Sequence, residues 1–496
     1  MLTIMDIKDF GAIDAENDER LFDYFVHSES LKRIKEEKRR VIVGRKGSGK
    51  TAIYKFLSKE SENWSTSALL FRDYPWKVHD RYANHEVSDR ESYVNSWDFL
   101  IYIELAKQIV RDIDRYKFFQ RLKVKKIKRW LRKVWGSDQF NHRETMNPKS
   151  KNWEFSFSPS IMGNSLGSIS RAKSERSLGE TLGEINKKLI NTLSSLLLEN
   201  KKYVLLFDEL DLSYNPADEK YLTRITGLLL SAYNINSYFQ RNKDNVRIYI
   251  FLRSDIYELL DFQDKNKITD NHVEYLNWDP VDETANLSLK RLAAKRIQEN
   301  IKTGEIGFQV NWSKIFDPAN IGRNKLKWNF IMDQTFLRPR DLIKFLNLSL
   351  EEAQKRIKSD PESEKLITNR DIHNIKKDYS NYLYSELKDE VSAKYKDFDI
   401  YLEVLRDMHK TIFTIDDYEM SFKAVSSRLG IKENSSTVLE RLYEFSVIGF
   451  YKPGGGGYGG ATYCYRYTDP NIKFNPKATN YKVHPGFKEY LELIDG

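Results

Sequence analysis

The sequence predicts an α/β chain built around a parallel sheet, and three observations carry that prediction. The octapeptide Gly44-Arg45-Lys46-Gly47-Ser48-Gly49-Lys50-Thr51 fits the G-x-x-x-x-G-K-[ST] spacing of a phosphate cradle. It lies between the β-branched run Val41-Ile42-Val43 and a helical stretch from Ala52 to Lys59, in the order strand, loop, helix. The run Tyr203-Val204-Leu205-Leu206-Phe207 is apolar throughout, the pattern of a strand covered on both faces, and ends in Asp208-Glu209-Leu210-Asp211. A third strand pattern, Arg247-Ile248-Tyr249-Ile250-Phe251-Leu252, ends in Arg253-Ser254-Asp255.

The octapeptide needs these residue types at this spacing. Its glycines let the backbone curl, so that N–H groups from Gly44 through Lys46, Gly47, Ser48 and Gly49 to Ala52 converge on one anion, aided by the dipole of the following helix. Lys50 has the reach to touch β- and γ-phosphates, and the Thr51 hydroxyl is a hard oxygen suited to Mg²⁺. The expected cofactors are ATP and Mg²⁺. Asp208 is expected to hold the metal with Thr51, and Glu209 to orient and deprotonate the attacking water. Asp211 either joins the metal site or caps the next helix. Arg253, at a strand tip, is placed to sense the γ-phosphate. Further on, Thr335-Phe336-Leu337-Arg338-Pro339-Arg340-Asp341-Leu342 opens a helix, with Arg340, or Arg338 instead, as a second sensor.

Composition sets outer limits. A chain of 496 residues, 40% hydrophobic, can bury two or three cores. The single cysteine, Cys464, excludes a disulfide framework and zinc ribbons. No apolar run approaches the roughly 18–20 residues that span a bilayer, and the N-terminus has no signal-peptide pattern, so a soluble cytoplasmic protein is expected. The net charge of +9 invites a polyanionic partner, although with 72 acidic residues the excess matters only where it is localised.

It is localised between Lys117 and Lys133, which hold nine basic residues and no acidic one. Phe119, Leu122, Val124, Ile127, Trp130, Leu131 and Val134 recur at helical spacing, which predicts a basic amphipathic helix. Lys123, Lys125, Lys126, Lys128, Arg129, Arg132 and Lys133 form its charged face. That face suits nucleic-acid phosphates, an anionic membrane or an acidic protein, and equally a merely solvated surface. The helix sits in an insertion, about residues 74–185, that lengthens the interval between Lys50 and Asp208 well beyond a simple crossover. The insertion also carries an alternating segment, Trp153-Glu154-Phe155-Ser156-Phe157-Ser158, read as one strand of a hairpin whose turn covers Pro159 to Asn164. A helix from Leu178 to Glu199 leads back to the acidic strand.

The expected domains are a nucleotide-binding core over 1–275, a helical lid and connector over 276–390, and a winged-helix-like domain over 391–496. The last rests on helices from Ser421 to Leu429 and Ser436 to Phe445, the strand Val447 to Tyr451, a glycine tip from Pro453 to Gly460, and the strand Thr462 to Tyr467. The same order also suits a packing module for another subunit.

Gly44–Thr51, Phe207–Asp211, Phe251–Asp255 and Arg338–Asp341 together resemble the KAP and STAND branches of the AAA+-related P-loop ATPases, and most closely a bacterial group of soluble stand-alone P-loop ATPases near them. The resemblance covers most of the chain, strongest in 5–60 and 200–260. It implies an ASCE-type P-loop NTPase fold, with Arg253 at the first sensor position. Phe10-Gly11-Ala12-Ile13-Asp14-Ala15-Glu16-Asn17-Asp18 is similar to that group's N-terminal signature, which implies that Phe10 contributes to the adenine pocket. The chain departs from KAP proteins in lacking a transmembrane insertion, and from STAND proteins in lacking a repeat array.

The function expected is an ATP-hydrolysing switch that closes a lid, orders a homo-oligomer and licenses a separate effector or nucleic-acid complex. The resembled groups commonly serve prokaryotic conflict systems, including antiphage defence. The alternative is a DNA-directed ATPase of the Orc-like loader or remodeller type, acting through the basic insert and winged helix. A nucleotide-binding scaffold without hydrolysis is the third reading, and Glu209 argues against it.

Overall fold

In the computed structural model the three apolar runs become β1 (Val41–Gly44), β3 (Lys202–Asp208) and β4 (Val246–Arg253) of a five-stranded parallel sheet, with β2 (Trp64–Leu70) and β5 (Val273–Tyr275) beside them. The structure describes residues 3–495 except 37–38, 60–62, 83–87, 151–177, 213, 215–216, 323, 392–394, 455–459 and 470. The strands are ordered β2-β3-β4-β1-β5, every neighbouring pair parallel. Register sets Gly44 beside Arg253 and Leu70 beside Asp208, so the residues expected to carry chemistry finish their strands at the same end of the sheet. β1, β3 and β4 are buried almost without interruption, which is why they read as unbroken apolar runs. β2 and β5 went unforeseen because Trp64–Leu70 carries two serines and a threonine and β5 is three residues long.

The chain separates into two compact units. The sheet unit comprises Ser30–Arg45 and Lys50–Leu276, and the helical unit comprises Met1–Glu29, Lys46–Gly49 and Asn277–Gly496. In the sheet unit, helix α1 (Lys50–Ser58) follows the glycine loop. Helix α2 (Asp89–Arg111) packs against α3 (Phe118–Trp135), α4 (Leu178–Ser194) and α5 (Tyr221–Asn242). The indole of Trp97 in α2 donates to the Arg224 carbonyl of α5 at 2.9 Å. The Arg224 guanidinium is itself buried between Asp80 at 2.8 Å and Asp218 at 2.7 Å, which compensates its charge. The hairpin expected over Trp153 to Asn164 lies outside the described residues.

The helical unit has two apolar cores. The first joins Ile4, Ile7 and Phe10 to helices α6 (Leu289–Ile301) and α7 (Pro339–Ser359). Pro339 takes the first helical position of α7, where its missing N–H leaves no hydrogen bond unmade. Helix α8 (Lys376–Val391) gives Tyr379 to this core and Leu383, Leu387 and Val391 to the second.

The second core is built by α9 (Phe398–Met408), α10 (Ile415–Leu429) and α11 (Ser435–Glu444) with four antiparallel strands. These are β6 (Ile412–Phe413), β7 (Ile448–Lys452), β8 (Thr462–Cys464) and β9 (Tyr481–Val483), in the order β6-β9-β7-β8. α10 starts earlier than the expected Ser421. Thr414 accepts from Asp417 N at 3.2 Å while Asp417 accepts from Thr414 N at 3.0 Å, a reciprocal cap that starts the helix there. β9 inserts between β6 and β7 and leaves β8 at the sheet edge. Within the glycine tip, residues 455–459 lie outside the described residues. Among the described residues no helix is long and apolar enough to cross a membrane.

Candidate functional site

In the sheet unit the candidate chemistry gathers at the ends of β1, β3 and β4. Lys50, the first residue of α1, is buried, and its Nζ donates to the Gly44 carbonyl at 2.8 Å and the Arg45 carbonyl at 3.1 Å. Burial lowers its pKa, while Asp211 and Asp208 act in the opposite sense, so these acids lie within electrostatic reach. Asp208 is also buried. Its Oδ1 accepts from Glu209 N at 2.8 Å, and its Oδ2 is enclosed with no partner among the described residues. Burial pushes this carboxyl up to about 7, against the pull of the Glu209 amide and Lys50. Thr51 and Ala52 follow on α1, both half-buried.

Glu209 has a φ of 60°, a left-handed conformation that an L-residue with a long side chain rarely takes. Its carboxylate accepts from Arg72 Nη2 at 2.8 Å. Arg253 pairs with Asp255 at 2.7 Å and with Asp211 at 3.6 Å, so Asp211 faces a cation here instead of capping a helix. The orphaned Asp208 oxygen and the Thr51 hydroxyl are hard donors of the type Mg²⁺ takes. An ion held by these two oxygens would complete its coordination with phosphate and water oxygens.

In the helical unit, Lys46–Gly49 is bound to the start of α7. Arg338 is buried, doubly paired with Asp341 at 2.8 and 2.9 Å, and donates to the Lys46 carbonyl at 3.0 Å. Those contacts tie it to the backbone of the loop. Arg340 lies against Gly47, whose φ is +82°: a Cβ built there would meet Arg340 Cβ at 3.0 Å. Arg340 Nη1 bonds Glu386 of α8 at 2.8 Å, and its Nε is buried without a partner among the described residues. Glu386 also faces Lys46 Nζ at 3.5 Å, so one carboxylate holds two cations of the loop region. Ser48 is buried with its hydroxyl unpartnered among the described residues, and its carbonyl accepts from the Trp278 indole at 2.9 Å.

Phe10 is wholly buried in the first core of the helical unit. Its N–H donates to Asn347 at 2.7 Å, Asn347 donates to the Gly11 carbonyl at 2.9 Å, and the Phe10 carbonyl accepts from Arg296. Gly11, at φ +102°, takes a conformation that L side chains rarely adopt, and a Cβ there would meet the end of the Arg296 side chain. Positive φ and the buried Arg296 that donates to the Phe10 carbonyl together suit glycine at position 11. On α3, Lys123, Lys125, Lys126, Arg129, Arg132 and Lys133 are exposed and Lys128 is half-buried, while Val124, Ile127, Trp130, Leu131 and Val134 face the core.

Arg72, Trp278, Glu386 and Arg296 were not singled out in the sequence. Arg72 follows a strand too polar to recognise, and the other three sit in segments whose only signal is a charged or aromatic residue.

Residues 287–388 match the FunZ-associated C-terminal helical domain. Over 98% of its length the chain is similar, at 24% identity, to an Escherichia coli K12 protein named "Putative transposon gamma-delta 80.3 kDa protein", of which it spans 67%. It is also similar to the crystal structure of Cdc6p from Pyrobaculum aerophilum at 12% identity, over 96% of this chain and 92% of that one, with a TM-score of 0.28. A superposition that poor does not bear on the fold, which rests on the strand order and register above. The matched helical domain contains α6, α7 and most of α8, and with them Arg338, Arg340 and Glu386.

Proposed function

We propose that the chain is an ATP-binding and ATP-hydrolysing switch that acts as a homo-oligomer and controls a separate effector or nucleic-acid complex. One observation carries the hydrolytic reading: Asp208, with its unpartnered buried oxygen, lies within electrostatic reach of Lys50 where β1, β3 and β4 end. Lys50 would exchange the Gly44 and Arg45 carbonyls for phosphate oxygens. Glu209, braced by Arg72, would take the proton of the attacking water, and Arg253 would answer to the γ-phosphate. Thr51 and Asp208 would hold Mg²⁺, which supplies charge neutralisation on the phosphate oxygens. Arg340, lying on Gly47, would leave Glu386 for phosphate, so that occupancy of the loop is felt on α8.

The motif set supports placement near the KAP and STAND branches. The order β6, α10, α11, β7, β8 supports the winged-helix reading of residues 391–496. A role in prokaryotic conflict, including antiphage defence, rests on the family resemblance alone. The absence of a membrane-crossing helix among the described residues accords with a cytoplasmic location.

The test is hydrolysis by the full chain with and without Mg²⁺. Glu209→Gln should bind ATP and lose turnover, whereas Lys50→Ala should lose ATP binding. Normal turnover in the first removes the base from this scheme, and unchanged affinity in the second removes the cradle. The second reading, a DNA-directed ATPase, is favoured by the exposed cations of α3 and predicts turnover that rises with DNA and falls steeply with salt. A flat response leaves the switch.

A further inference from the structure

The outward face of α3 combines two features that serve different parts of one kind of ligand. At its start, Phe118 is 70% exposed, Phe119 80% and Leu122 41%. Adjacent phenylalanines left in water are unusual, because each would gain by burial. Their rings lie edge to face with centroids 5.5 Å apart. Further along the same face stand Lys125, Arg129 and Lys133, none with an ion-pair partner among the described residues. From Phe118 to Lys133 the face runs about 22 Å at the helical rise. Other cations of this helix find a carboxylate: Arg121 pairs with Asp114, and Lys128 and Arg132 share Asp138 at 3.4 and 2.5 Å.

We propose that this face binds single-stranded nucleic acid, with bases stacked on Phe118 and Phe119 and the backbone running along Lys125, Arg129 and Lys133. An anionic membrane fits less well. A helix lying in a bilayer interface must bury its apolar stripe, and here Val124, Ile127, Leu131 and Val134 are already buried in the protein core. A duplex fits the cations but keeps its bases stacked inside, leaving the rings without a partner. An unpaired strand offers both phosphates and open base faces. The proposal does not rest on hydrolysis, since binding is measured without nucleotide.

The experiment titrates fluorescein-labelled oligothymidylate, and separately a labelled duplex, into the full chain and follows anisotropy across a salt series. Oligothymidylate should bind more tightly than duplex. Phe118→Ala/Phe119→Ala should weaken oligothymidylate binding about tenfold or more while leaving duplex binding unchanged. Lys125→Gln/Arg129→Gln/Lys133→Gln should flatten the log–log salt dependence by about 0.7 for each phosphate no longer neutralised. Both variants change exposed side chains, and unaltered thermal melting confirms that they fold. Equal weakening of both nucleic acids by the phenylalanine variant overturns the stacking. Binding untouched by either variant overturns the site. Sedimentation with phosphatidylserine-containing vesicles that depends on Phe118 and Phe119, without binding to oligothymidylate, assigns the face to membrane instead.

Discussion

Glu386→Gln offers the sharpest test of how the loop region responds to nucleotide. The carboxylate bonds Arg340 at 2.8 Å and faces Lys46 at 3.5 Å, and the paired side chains are 21% exposed for Arg340 and 17% for Glu386. Glutamine keeps the shape and one acceptor oxygen but loses the charge. Glutamine still accepts a hydrogen bond from the charged guanidinium, and what is lost is the Coulomb attraction of the ion pair, so the substitution weakens the Arg340 contact by roughly 1 kcal/mol for a pair this little exposed. The longer Lys46 contact adds less, because it is partly screened by solvent. If triphosphate binding must draw Arg340 away from Glu386, that kcal/mol appears as ATP affinity raised about five-fold. ADP should gain less, having no γ-phosphate for Arg340 to reach. Calorimetric titration of both nucleotides into the wild type, Glu386→Gln, Arg340→Ala and the double variant closes the cycle. The gain should vanish in the Arg340→Ala background. An ATP affinity that stays level or falls in Glu386→Gln, or a gain that survives loss of Arg340, refutes the reasoning.

Three further outcomes are expected. Glu209 holds φ 60°, so Glu209→Val, β-branched, should be less stable than Glu209→Gln by about 1–2 kcal/mol in urea unfolding, and equal stabilities would remove the strain. Gly47→Ala and Gly49→Ala share positive φ, but only Gly47 meets Arg340, at 3.0 Å, against 4.0 Å to Trp278 for Gly49. Gly47→Ala should therefore be the more destabilising by about 1 kcal/mol, and matched values would show that Arg340 gives way freely. His79 is fully buried between the Tyr74 hydroxyl at 2.9 Å and Ser96 Oγ at 2.8 Å, and burial lowers its pKa from 6.5 to about 3. The unfolded chain takes up this proton first, so the associated stability is present above pH 6.5 and is lost as pH falls toward 3. Between pH 7 and 5 the loss is about 2 kcal/mol, and His79→Gln should show a shallower fall by that amount. Parallel pH curves would falsify the assignment.

Much of the candidate site was legible because its chemistry is local. The cradle needs only eight consecutive residues, and Asp208-Glu209 announces itself by following the most apolar run in the chain. The basic helix was legible too, since its buried stripe of Val124, Ile127, Leu131 and Val134 has helical spacing regardless of what it packs against. The strands β2 and β9 were not, because their identity depends on which neighbour pairs with them and their own side chains carry little pattern.

By itself the sequence determined the parallel α/β core, the glycine loop between its first strand and helix, and the strand-end acids, each set by the intrinsic geometry of a few adjacent residues. Only the tertiary structure distinguished the two arginines at the start of α7. Arg338 and Arg340 are two positions apart and chemically identical. Folding buries Arg338 against Asp341, where its charge is fully compensated, and leaves Arg340 on Gly47 with a single carboxylate from a helix more than forty residues away. The same holds for Phe10, which the N-terminal pattern offers as a ligand contact and the core of the helical unit encloses. Burial and partner choice are properties of the folded chain, since they depend on residues that meet only after distant segments pack.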